Sequence, residues 1–147
     1  MPRHLRWLLI LVIGFASIPT RAADDDKSPL QGVWVGQSLI TDGTPAPEAD
    51  AQRMRFTFQK ETLLLRGNFK DDNEAECTYT IDPKQSPKQL DFTPPKEKAP
   101  ILCIYEISGD TLKLCIRHAN NNGPRPKEFV STKDSPAVLV VLKRQTP

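Results

Sequence analysis

From residue 30 onward the chain breaks into short runs in which apolar and polar positions alternate with a period of two, separated by Gly, Pro, Asn and Asp. That period belongs to half-buried strands. Leu30 to Gly36, LQGVWVG, opens a first strand running to about Ile40. Arg53 to Gln59, RMRFTFQ, sends Met54, Phe56 and Phe58 to one face and Arg53, Arg55, Thr57 and Gln59 to the other. Lys60-Glu61 turns the chain into Thr62 to Arg66, and Cys77 to Ile81 alternates again. Leu90 and Phe92 mark a short strand that stops at Pro94-Pro95. Glu128 to Ser131 and Val138 to Lys143 read as the last two strands. Asp42 to Pro47 is a loop by its breakers, and Glu48 to Gln52 is long enough for one helical turn. About nine short strands without a convincing helix predict an antiparallel barrel or sandwich.

Ile101 to Arg117, ILCIYEISGDTLKLCIR, is the strongest hairpin signal in the chain. A two-residue Gly109-Asp110 loop places Ser108 opposite Thr111. Ile107 then faces Leu112, Tyr105 faces Leu114 and Cys103 faces Ile116, making one apolar face. On the other face Glu106 meets Lys113, a stabilising opposite-charge pair. A slip of one residue would mix the two faces. The same register puts Cys103 and Cys115 on opposite sides of the sheet, which argues against a disulfide between them.

The first residues do not fit this pattern. Arg3, His4 and Arg6 precede the apolar run Trp7 to Ala16, and Thr20-Arg21-Ala22 offers small residues where a signal peptidase cuts. Residues 1–22 are therefore expected to be a signal peptide, cleaved after Ala22 with Ala23 as the alternative. Residues 23–29 are expected to be a disordered lead-in, and residues 30–145 the barrel domain. The chain would be exported to the periplasm or beyond, with no stable membrane anchor after cleavage. Loss of Arg3, Arg6 and Arg21 leaves 17 basic against 18 acidic residues, so the positive charge of the whole chain belongs to its leader. No clustered Lys/Arg run of the kind nucleic acid requires is visible along the chain, so no nucleic-acid partner is expected.

Candidate chemistry is sparse. Cys77, Cys103 and Cys115 are an odd number, so at least one thiol has no partner within the chain. They read either as small core hydrophobes or as one bridge involving Cys77 plus a free thiol. His118, in an Asn-rich loop, is the one histidine after the leader, and neither a catalytic thiol nor a metal finds its other members near it. Asp71, Asp72, Glu74 and Glu76 lie in the most polar segment, where carboxylates stay solvated rather than poised for acid–base work. Ser108 and Ser131 sit in no recognisable nucleophile motif. The chain is expected to be no enzyme and to need no metal or cofactor.

Five segments in order carry a resemblance: LQGVWVG from Leu30, TYTIDPKQSPKQLDFT from Thr78, IYEISGDTLKLC from Ile104, GPRPKEF from Gly123 and VLVVLKR from Val138. Together they resemble an uncharacterised lipocalin-like domain family abundant in planctomycete bacteria. The resemblance covers Leu30 to Arg144. It implies a small up-and-down antiparallel barrel of about 8–9 strands and an exported protein, and it implies no activity. Gly32-Val33-Trp34 reads as the G-x-W that opens such a barrel, and lipocalins pack a late-strand Arg against that Trp. Arg144 shares the alternation phase of Val138, Val140 and Leu142, so its guanidinium can stack on Trp34. The competing reading is an exposed Lys143-Arg144 pair guarding a strand end. Gly32, Trp34, Gly109, Asp110 and Arg144 are the expected structural positions.

Two functions follow. Either the barrel holds a small apolar ligand, with Trp34, Phe56, Phe58, Tyr79 and Tyr105 lining its interior, or those aromatics fill the core. A filled barrel would act through its loops as an envelope protein-interaction or inhibitor module. Asn120 to Pro126 is then the candidate surface. The expected protein is an exported, non-catalytic binding protein, and the state of its interior decides between the two.

Overall fold

The computed structural model describes residues 26–67, 73–117 and 123–147. The expected signal peptide, Asp71, Asp72, His118 and residues 120–122 of the candidate loop lie outside them. Nine strands follow in chain order: β1 Gly32–Thr41, β2 Thr44–Pro45, β3 Arg55–Gln59, β4 Thr62–Arg66, β5 Ala75–Asp82, β6 Lys88–Thr93, β7 Ile101–Ser108, β8 Thr111–Arg117 and β9 Ala137–Arg144. From β3 to β9 each pairs antiparallel with its sequence neighbours. β1 pairs with β3 along Gly32–Val35 and with β9 along Trp34–Thr41, so eight strands close into an up-and-down barrel with β2 as an extra strand on β1.

The β7–β8 hairpin has the register its pattern predicts, from Ser108 opposite Thr111 to Cys103 opposite Ile116. Gly109 turns at φ 57° while Asp110 keeps a negative φ, as the II′ loop favoured between twisted strands requires. Lys113 Nζ lies 3.6 Å from Glu106 Oε2 on the outer face. Elsewhere the pattern misleads in instructive places. Arg53 and Met54 are not strand: Arg53 ends helix α1, Glu48–Arg53, and Met54 caps it while still entering the core. Asp42-Gly43 is a tight hairpin turn joining β1 to β2, with φ of 49° and 81°. The Asp-Gly pair, a strong I′ signal, could have revealed this. Glu128–Ser131 forms no strand, because β8 pairs directly with β9 and leaves those residues no ladder to join.

One end of the barrel is sealed by a single 3-10 turn, Ser28–Leu30, whose Leu30 is fully buried. The expectation of disorder up to residue 29 is therefore corrected from Lys27 onward. Two carbonyls of this lead-in, Leu30 and Pro29, are fixed from the barrel by Trp34 Nε1 and by Arg144. At the other end α1 lies across β1. Gly36 permits it: a Cβ there would stand 1.9 Å from the Ala51 carbonyl oxygen, and the Gly36 N–H donates to Met54 O instead. Trp34, Gly36 and the buried Ala51 lie on the same side of β1, so α1 plugs the mouth from within.

Candidate functional site

The five residues expected to line a ligand chamber all point inward, and all are 3% exposed or less. They belong to one continuous core that also takes in Leu30, Leu63, Leu90, Leu112, Leu114 and Leu142. Trp34, Phe56, Phe58 and Tyr79 each meet a protein neighbour, and Tyr105 stands opposite Leu114 in the β7–β8 ladder. Trp34 donates its indole N–H to Leu30 O at 2.8 Å, and the Arg144 guanidinium carbon lies 4.1 Å from the centre of its ring. Phe58 meets Tyr79 edge to face at 5.1 Å. Tyr79 receives the Gln31 amide at 2.8 Å and donates its hydroxyl to Lys60 O at 2.7 Å. Phe56 stands opposite Trp34 and Leu65 in the ladders on either side of β3. Burial pushes the Tyr105 hydroxyl up to about 12, with the Asp26 charge adding to it.

The expected structural positions form one device around Arg144. Its guanidinium stacks on Trp34 and donates to Gln31 O and Pro29 O, both at 2.7 Å. Gly32 has φ 113° there, and a Cβ on it would sit 3.4 Å from the Arg144 Nη1. Asp110 reaches Arg144 from the hairpin tip: its carbonyl accepts the Arg144 N–H at 2.8 Å, and its carboxylate lies 3.8 Å from Nε. Arg144 is thus a clamp between the 3-10 turn, the first strand and the β7–β8 turn, not a solvated strand end.

Beside this clamp an open groove of about 1170 Å³ is lined by Lys27, Gln31, Lys60, Glu61, Leu64 and Glu76 among others. Lys27 lies 4.8 Å over the Tyr79 ring and 3.9 Å from the Glu61 carboxylate. Mixed charge on its walls selects no single ligand chemistry.

A third feature was not legible in the sequence. Residues 123–136 lie over the outside of β6 to β9. Arg125 forms a bidentate pair with the Asp91 carboxylate and also donates to Cys103 O at 2.7 Å. Phe129 and Leu139 pack against Ile104, Cys115 and Ala137, a second small core outside the barrel. Lys113 lies 5.5 Å over the Phe129 ring. Ser131 ties the segment to β9 and to the β1–β2 turn, donating to Ala137 O at 2.7 Å and accepting from the Gly43 N–H at 3.1 Å. In that turn, Thr41 Oγ1 and Asp42 Oδ1 are buried without a hydrogen-bond partner. The candidate surface around Pro124–Pro126 is therefore bound to the barrel over its described part. The outward side of the segment carries Val130, 41% exposed, beside a cleft of about 440 Å³.

The three thiols are free and buried. Burial raises Cys77 to about 11, Cys103 well above its ordinary value and Cys115 above its own. That direction is opposite to the activation a nucleophilic thiolate needs. Among the described residues no three His, Cys, Asp or Glu side chains are grouped to hold a metal ion. No family model, curated protein or solved structure matches the chain.

Proposed function

We propose that this protein is an exported, non-catalytic binding module that acts through the outside of a filled barrel. The observation that carries this reading is the burial of Trp34, Phe56, Phe58, Tyr79 and Tyr105 at 3% exposure or less within one core. An apolar ligand gains affinity by covering apolar wall that water would otherwise touch, and these walls already cover one another. A rigid scaffold of this kind presents its recognition elements on segments that run over it. Residues 123–136, with Val130 outward, are such a segment.

Trp34 is the one tryptophan after the expected leader, so its fluorescence reports the interior. Titration with a fluorescent fatty acid is expected to leave Trp34 emission unchanged and to show no saturable uptake. Stoichiometric uptake that quenches Trp34, or an extra mass carried by the native protein and lost on denaturation, would overturn the filled-barrel reading in favour of a small-molecule carrier.

A further inference from the structure

A residue that points outward from a closed barrel is covered only by what lies outside the barrel. Cys115 is such a residue: its neighbours Leu114 and Ile116 point into the main core, yet it is fully buried. Its cover is the segment of Phe129 and Val130, and its thiol lies 3.5 Å from Val130 O. Beneath that cover β8 keeps both its ladders, to β7 and to β9. Lifting the segment therefore breaks no barrel pairing.

The segment is held by side-chain contacts rather than by a ladder: Arg117 Nη1 donates to Gly123 O at 2.7 Å, Ser131 bridges Ala137 O and the Gly43 N–H, and Phe129 packs on the outer core. Residues 124–130 form no strand or helix and contribute no backbone–backbone bond among the described residues. Arg125 supplies the strongest attachment, a fork on Asp91 with a further bond to Cys103 O. Paired guanidinium–carboxylate bonds are roughly twice as strong as neutral ones. Segments without ladder bonds open at far lower free energy than the core.

We propose that residues 123–136 are a latch, held shut by Arg125 on Asp91, that opens as a unit to expose Cys115 and the Ile104–Leu139 face while the barrel stays folded. In the open state Phe129 leaves its outer pocket, and Ile104, Cys115 and Ala137, buried in the closed state, meet solvent. The latch rests on these contacts and not on the binding role proposed above, so the two can fail separately.

The three cysteines make the test internal to the molecule. Cys77 and Cys103 point inward and need the barrel to open, whereas Cys115 needs only the latch to lift. Native protein would be pulsed with a maleimide, and each modified cysteine located by peptide mass spectrometry. Cys115 is expected to react at least about tenfold faster than the other two. Arg125→Ala is expected to accelerate Cys115 by about a further tenfold, the scale of a lost charged hydrogen bond, with Cys77 and Cys103 unchanged. Asp91→Asn should act in the same direction. Three thiols reacting in step, or a Cys115 rate unmoved by Arg125→Ala, would overturn the latch. If the variants do not fold, the wild-type protein decides alone. A latch gives Cys115 labelling that is flat in low denaturant while Cys103 labelling rises with it, and parallel slopes refute it.

Discussion

At the scale of single residues, Trp34 and Arg144 are the pair on which the sealed end depends. Trp34 is fully buried, hydrogen-bonded through its indole and covered by a guanidinium whose other bonds reach Gln31 and Pro29. Trp34→Ala is expected to cost about 3–5 kcal/mol in denaturant unfolding, the range for large aromatic deletions in a core; a loss below about 1 would refute its place there. Lys60 makes the opposite case. It sits at φ 54° in the β3–β4 turn, a conformation in which a side chain costs about 1–2 kcal/mol and glycine costs nothing of that kind. Its backbone is held there by Gln31 Oε1 on its N–H at 2.6 Å and the Tyr79 hydroxyl on its carbonyl. Lys60→Gly keeps both bonds and is expected to raise stability by about 0.5 kcal/mol once the freer unfolded chain is counted. A clear loss of stability would mean that the lysine ammonium matters more than its backbone.

At the scale of elements, local pattern worked where an element is defined by its own residues. The β7–β8 register came out pair for pair because alternation, turn chemistry and the Glu106–Lys113 pair all select one alignment. That ion pair is exposed on both sides, so its own contribution is small. A double-mutant cycle on Glu106 and Lys113 is expected to give no more than about 0.5 kcal/mol, vanishing in high salt; a larger, salt-independent coupling would require a contact beyond charge. Where an element is shaped by its neighbours, pattern failed. Met54 alternates correctly with Phe56 and Phe58, yet the helix reaching Arg53 claims its backbone. Glu128–Ser131 has strand-like composition, yet the strand positions beside β8 are already occupied by β7 and β9.

At the scale of the whole molecule, the packed interior makes stability depend on alkaline pH. Burial lifts Cys77 from 9.0 to about 11 and Tyr105 from 10.0 to about 12. Below pH 9 both groups are protonated whether the chain is folded or not, and their contribution is complete. As pH rises through 9 to 12 the unfolded chain loses these protons first, so stability falls across that window. The denaturant midpoint is expected to decline above pH 9, and Tyr105→Phe to flatten the decline between pH 10 and 12; an identical profile in the variant would detach Tyr105 from the effect. The sequence by itself determined the eight barrel strands, the hairpin register and the inward face of each of those strands, because these follow from period-two alternation and from turn residues within a few positions of one another. It also put Arg144 in phase with Val138, Val140 and Leu142, since an apolar face continues to the end of its strand, while its meeting with Trp34 was implied only by the lipocalin-like resemblance. Only the tertiary structure decided that Trp34, Phe56, Phe58, Tyr79 and Tyr105 are all buried in one core, that the lead-in covers one end, and that Arg125 binds Asp91 outside the barrel. Those outcomes depend on which surfaces meet after the sheet closes, and chain-local periodicity carries no information about distances across a closed sheet.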